Sequence, residues 1–481
     1  MAQNDGPNGR APRSSDAIGV IAALGMVAAP AAARFTNVQV ESDEAAVIRC
    51  VKSGGVEVER RLGGEDDVAA ELQQGDEVAV LEVRERKSRI RYRVDARRRT
   101  GWVPSRSLEK CERAPRTETR EPTRNEPSQP SRPRSRRGGG EHASQLGPLG
   151  AKEMRAHFIN VGQGAATLYE FSCGALLVDT GGESNGEFDS DSALKGYLES
   201  VFDTRPDLNR TLELLVLSHP HIDHAHGAQL VTEEFAVKNV VTNGLVKKPG
   251  TDNFYSGGRQ QQKLEEWART HAKLETISVE DIARGGRTSP VIDPIACSGQ
   301  DPKIAVLWGA QPAKPDGWSN EAFGDANNHS VGLRIDFGKA SFLSTGDLEV
   351  DAVPSLVALH AGSNALDVDV WQVSHHGSAN GTNDELLDAL TPEIALMGTG
   401  DPNRTDSSFS AFAFGHPRKT VINELLEHLT RKRSEVEVPV ADGMREFEDT
   451  KIDEAIYATG WDGTVVVTAH ADGTFEVTTE K

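Results

Sequence analysis

Aromatic residues make up only 5% of this 481-residue chain, and its 53 lysines and arginines are outnumbered by 73 acids, for a formal charge of −20. A nucleic-acid coat or a basic membrane binder needs the opposite balance, so any contact with a polyanion must be local. Cysteine is scarce too. Cys50, Cys111, Cys173 and Cys297 form no C-x-x-C pair, which excludes a zinc knuckle or a thioredoxin-like motif and leaves metal chemistry to histidines. Cys50 and Cys111 stand near the two ends of the first candidate domain, where a disulfide in an oxidising compartment competes with two reduced thiols.

Long apolar runs are missing except for Ala17–Ala33, whose 17 residues fall short of the roughly 20 that a helix needs to cross a bilayer. No integral membrane span is expected. Arg10 and Arg13 precede the run and small residues end it, as in a secretory signal with an Ala-x-Ala cleavage site, although Asp5 and Asp16 weaken the basic start. The chain is expected to be periplasmic or extracellular if residues 1–33 are a signal, and cytoplasmic if they are a disordered leader.

The length suggests two or three domains. Residues 36–110 carry short alternating stretches, Glu77–Val83 and Ile90–Val94 among them, between Gly and Asp turns, which is a small all-β pattern. The close at Thr100-Gly-Trp-Val-Pro104 resembles the bacterial SH3 family of small barrels, and that resemblance implies a peptide or cell-wall ligand; a packing module without a ligand is the alternative. Residues 112–150 form a Pro/Arg/Gly-rich linker, with eight arginines against four glutamates from Glu112 to Gly140. Its charge run is expected to be solvated.

From 154 to 481, strands such as His157–Val161 and Leu212–Leu217 alternate with helical segments such as Gln260–Leu274 and Lys419–Thr430, which argues for a layered α/β domain. The strand Leu212–Leu217 runs into Ser218-His-Pro-His-Ile-Asp-His-Ala-His-Gly227. Alternate positions at a strand end share a side, so His219 and His221 can serve one metal while Asp223 and His224, entering the next turn, face a second. Imidazoles with hard carboxylates suit zinc or manganese. Three later strand ends offer further ligands: His329, Asp347 in Ser344-Thr-Gly-Asp347, and the pair His375 and His376. Gly, Pro and Asn clusters at Asn243–Gly258 and Gln311–Asn328 are expected to be loops shaping a cleft.

The order H-x-H-x-D-H, His329, Thr-Gly-Asp347 and His-His-Gly-Ser378 resembles the metallo-β-lactamase superfamily, and in particular the soluble hydrolase domain of the ComEC family of DNA-uptake proteins. His157-Phe-Ile-Asn-Val-Gly-Gln-Gly164, Leu176-Leu-Val-Asp-Thr-Gly181, Phe414-Gly-His-Pro417 and the last strand near Asp462–Val467 match as well. The resemblance implies an αβ/βα four-layer sandwich with two divalent ions. In it, His219, His221 and His329 would hold the first ion, Asp223, His224 and His375 the second, and Asp347 would bridge them. Asp179 is expected to orient a ligand histidine. Asp223, His376 and His416 are the expected catalytic groups, the two histidines assisting phosphate or leaving group. The chain departs from the family by carrying His221 where Asp is usual, His329 where Asn is usual, and Asn160 and Ala165 where the family has two carboxylates.

Two ions close together generate hydroxide near neutral pH and polarise the oxygen under attack. Phosphodiester hydrolysis is the leading expectation, with DNA as the substrate that the resemblance implies, and Arg418 and Lys419 are the local cations it suggests. The alternatives are a small ester, thioester, lactam or phosphorylcholine substrate, or a wall- or partner-binding protein without catalysis.

Overall fold

The computed structural model describes residues 47–51, 56–59, 68–72, 77–84, 87–94, 97–104, 107–109 and 146–481. The expected leader, nearly all of the linker and the Cys50–Cys111 pairing lie outside these residues, and the described chain divides into two units. In the first, the alternating stretches form strands Glu77–Arg84 and Lys87–Val94 of one seven-stranded sheet, with Ile90 and Val103 fully buried. Period-two alternation explains such a sheet, since it sends one set of side chains inward.

The second unit is built on two sheets. One has eight strands, ordered Lys273–Thr276, Asn239–Thr242, Leu214–Val216, Gly174–Val178, Thr167–Phe171, Glu153–Phe158, Val465–His470 and Phe475–Thr479. The other has six, ordered Pro302–Trp308, Gly332–Phe337, Ala340–Ser344, Val370–Gln372, Ile394–Met397 and Ile456–Ala458. Their central strands are continuous apolar runs because both faces are covered. In Gly174–Val178, Leu176 and Val178 point into the core between the sheets, whereas Ala175 and Leu177 meet the outer helices. In the second sheet Phe342, Val370 and Leu396 face that same core, while Leu343, Trp371 and Met397 face outward.

Helices Ser190–Thr204, Ala228–Glu234 and Gly258–His271 cover the first sheet with Leu198, Val231 and Leu264. Helices Val353–Leu359, Asp384–Leu390 and Lys419–His428 cover the second with Leu356, Leu387 and Ile422. Helix, sheet, sheet and helix make four layers, as the motifs imply. A disulfide joins Cys173, in the turn after Thr167–Phe171, to Cys297 across 124 residues of sequence, a pairing that the cysteine spacing did not reveal.

The pairings that place the site are parallel. Gly174–Val178, Leu214–Val216 and Asn239–Thr242 run together in one sheet, and Ala340–Ser344, Val370–Gln372 and Ile394–Met397 in the other. Asp179, Ser218, Asp347, Ser374 and Gly398 therefore all leave the carboxyl ends of parallel strands, where open α/β sheets gather their sites.

Candidate metal centre

The turn after Val178 places Asp179 at φ 62°, a left-handed conformation that a non-glycine residue holds only when its surroundings compel it. Its buried carboxylate accepts hydrogen bonds from Ser218 N (2.7 Å), Ser218 Oγ (2.8 Å) and His224 Nδ1 (2.8 Å). Asp179 thus fixes the strand-end loop and the tautomer of His224 together. The short helix Ile222–Ala225 then carries Asp223 and His224. Gly164 and Gly182 lie against the Asp223 backbone, leaving no room for a Cβ at either position, and Ala165 N donates to Asp223 O. This packing gives the Gly-Gln-Gly and Thr-Gly-Gly turns their physical reason.

On the facing sheet, Gly346 at φ 55° turns the chain so that Asp347 N donates to Ser330 Oγ. His375 and His376 are also left-handed, at φ 50° and 54°. That strain turns His376 inward, where Nδ1 donates to Gly398 O at 2.6 Å and Nε2 faces the cluster. Its Nε2 lies 3.2 Å from His224 Nε2, 3.3 Å from Asp347 Oδ2 and 3.4 Å from Asp223 Oδ2. His224 Nε2 is 3.1 Å from Asp347 Oδ1.

Burial alone would push His224 and His376 down, but their carboxylates outweigh it. Asp347 and Asp179 hold His224 well above its ordinary range, and Asp347 with Asp223 raises His376 to about 10. Burial would likewise raise Asp347 and Asp223, yet the same histidines hold both carboxyls low.

The cluster fits a divalent ion. One ligand atom from each of Asp223, His224, Asp347 and His376 lies within 4.8 Å of the others, and the donors are imidazole nitrogen and carboxylate oxygen, which zinc and manganese accept. His219 adds an independent sign: its Nδ1 lies 3.1 Å from Ser218 Oγ, and its buried Nε2 has no hydrogen-bond partner, 3.9 Å from Asp347 Oδ2. A buried orphan lone pair is costly unless something binds it.

Other expected residues fall elsewhere. His221 stacks edge-on with His219 at 4.8 Å and with Tyr255 at 5.8 Å, at the rim of the cluster. His375, the expected ligand of its pair, stands farther out than His376, with Nε2 4.0 Å from Asp347 Oδ2 and Nδ1 3.4 Å from Glu349 Oε1. The order of that pair is reversed from expectation. His329 does not join the site: Gln311 N donates to its Nδ1 at 2.9 Å, and its Nε2 donates to Phe323 O at 2.8 Å. With both ring nitrogens spent on backbone, it braces a loop between Trp318 and Phe323.

His416, before a cis Pro417, stacks against His376 at 6.2 Å, and its Nδ1 accepts from Gln163 Nε2 at 3.2 Å. Burial, reinforced by His376 and His375, lowers it to about 3, so it is neutral. The expected cations are engaged: Lys419 pairs with Glu448, and Arg418 donates to Phe414 O. Glu349, unnoticed in the sequence, accepts from Asn327 and Asn380 beside His375 and is pushed up to about 7, chiefly by burial.

Comparison with known proteins agrees with this fold. ComE operon protein 3 of Bacillus subtilis is 26% identical over 293 residues, covering 59% of this chain and 32% of that protein. Recombination protein 2 of Haemophilus influenzae is 25% identical over 59% of this chain and 27% of its own length, and competence protein ComA of Neisseria gonorrhoeae 26% over 56% and 29%. The chain thus spans about a third of the length of these relatives. These matches bear out the likeness to ComEC-type proteins. The family pattern of the metallo-β-lactamase superfamily matches residues 159–400, just over half of the chain. With its four layers and its histidine and aspartate cluster at the strand ends, this chain belongs to the metallo-β-lactamase superfamily.

Proposed function

We propose that the chain is a metal-dependent phosphodiesterase acting on nucleic acid. One observation carries the proposal: Asp223, His224, Asp347 and His376 converge within 4.8 Å, with outer groups already fixing their orientation. Relatives named for recombination and competence support nucleic acid as the substrate class.

Asp223, His224, Asp347 and His376 would hold one ion, and His219, with His221 and His375 farther out, offers donors to a second. Divalent ions held there would lower the pKa of a water and polarise the phosphoryl oxygen under attack. The protein residues do the positioning. Asp179 and Gly398 O hold the δ protons of His224 and His376, which leaves both Nε2 atoms to the cluster. His416, neutral and with Nδ1 satisfied by Gln163, keeps an Nε2–H to donate to a phosphate or leaving oxygen. His375, with a side chain 20% exposed, is more open than His376 at 3% and is our candidate for the substrate's side of the cluster.

We also infer that the chain works outside the reducing cytoplasm, a location that the Cys173–Cys297 disulfide supports. The activity is tested with zinc- or manganese-loaded protein on bis-p-nitrophenyl phosphate, single-stranded DNA and nitrocefin. Turnover of the first two, lost in Asp347→Ala, is expected. Turnover of nitrocefin alone would remove the phosphodiesterase proposal.

A further inference from the structure

The loop between Asn239–Thr242 and helix Gly258–His271 is a small ribbon fastened to the rim of the metal centre. Lys247 bridges Phe254 in antiparallel register, and Lys248 N donates to Asn253 O at 2.9 Å. The ribbon is tied to the motif loop at three points. Gly257 N donates to Pro220 O at 3.0 Å, Ile222 N donates to Ser256 Oγ at 3.1 Å, and the Tyr255 ring meets His221. On its outer side, Lys247 Nζ lies 5.3 Å and the Arg259 guanidinium 4.4 Å from the centre of the Phe254 ring, and Lys248 is exposed beside them.

This patch gathers three cations in a chain with a formal charge of −20. Several other cations are neutralised by carboxylates: Arg404 by Glu183, Lys419 by Glu448, Arg433 by Asp462. Lys248 and Arg259, by contrast, have no carboxylate partner among the described residues. Lys247 meets only Asp252, at 3.3 Å, which is wholly exposed, so an incoming phosphate can displace it. Arg259 also sits in the first turn of its helix, where the macrodipole disfavours a cation. Helix stability does not account for its place. Phe254 does: an aromatic face attracts cations and limits their directions, holding two of them ready for an anion.

We propose that Lys247, Lys248 and Arg259, arrayed about Phe254, form a shelf that binds the phosphodiester backbone of single-stranded nucleic acid on the His221 side of the metal centre. The proposal rests on the phosphodiesterase assignment and adds where the strand lies outside the reacting diester. Contacts to backbone phosphates by lysine and arginine are independent of sequence and weaken with salt, so the shelf predicts affinity without base preference.

The test is fluorescence anisotropy of a labelled oligothymidylate with the full chain in EDTA, which prevents cleavage, over a range of salt. The triple variant Lys247→Gln, Lys248→Gln, Arg259→Gln is compared with a control that removes three exposed cations at the opposite ends of the strands: Lys152→Gln, Lys303→Gln, Lys339→Gln. The shelf variant is expected to bind at least about tenfold more weakly, and its salt slope to fall by about 2, as for three lost contacts to a single strand. Binding by the shelf variant within about twofold of the parent, or an equal loss in the control, overturns the proposal. Hydrolysis of bis-p-nitrophenyl phosphate by the parent is measured alongside. A parent that cleaves this diester while the shelf variant binds unchanged refutes the shelf alone. Shelf-dependent binding by a chain that cleaves no diester sustains the shelf and refutes the reaction.

Discussion

Replacing Asp179 by asparagine isolates how the protein orients its metal donors. The carboxylate now takes three donors, two from Ser218 and one from His224 Nδ1. An amide keeps the shape but has one oxygen. If that oxygen stays with Ser218 N, the new NH₂ group faces the Nδ1–H of His224, donor against donor. His224 is then no longer held in the Nδ1–H form, the one that leaves Nε2, 3.1 Å from Asp347 Oδ1, free to bind a metal ion. Restoring the productive tautomer has to be driven by metal binding, a loss of about 10- to 100-fold in affinity, or roughly 1.4–2.7 kcal/mol. Competition with a chromophoric chelator measures it, with thermal melting of the metal-free protein as a check on folding. A folded Asp179→Asn that binds metal within about twofold of the parent would refute this role for Asp179.

Three other perturbations bear on the frame. Glu170 is buried among Arg205, Arg155 and His157; burial raises its carboxyl, but these partners hold it at about 2. That stability is present above the ordinary carboxyl value of 4.5 and is lost as pH falls towards 2, about 3 kcal/mol in all. Urea melts of Glu170→Gln should therefore approach the parent at low pH, and parallel pH curves would refute the assignment. Reducing Cys173–Cys297 opens a loop of 124 residues, for which about 5 kcal/mol and a fall of roughly 5–10 °C in Tm are expected by calorimetry. His329→Leu strands Gln311 N–H and Phe323 C=O, and should cost about 2–4 kcal/mol without changing metal stoichiometry by elemental analysis.

A layered α/β domain was legible because covered strands are continuous apolar runs, and the four layers came with the family resemblance that the strand-end motifs carry. Asp223, His224 and Asp347 were legible for the same reason: each follows an apolar stretch within a turn. His329 was misleading, since a histidine before an apolar strand reads as a strand-end ligand. Only the turn Ala326–His329 and the backbone of Gln311 and Phe323 decide where its ring points. The choice between His375 and His376 depends on two left-handed residues, a backbone feature with no side-chain signature. Arg418 and Lys419 were singled out by proximity to His416, yet the hairpin of Lys432–Gly443 and Glu446–Glu454 brings Glu448 onto Lys419. Long-range folding likewise hid the pairing of Cys173 with Cys297, whereas the gathering of Lys247 and Arg259 about Phe254 depends on the turn of a local ribbon.

Metal content, measured by elemental analysis after dialysis against zinc or manganese, tests the central claim most directly when parent, His376→Ala and His375→Ala are compared. The cluster predicts bound divalent metal in the parent, loss of the ion held by Asp223, His224, Asp347 and His376 in His376→Ala, and retention of that ion in His375→Ala. A folded parent that holds no metal, or a His376→Ala variant that holds as much as the parent, would contradict it.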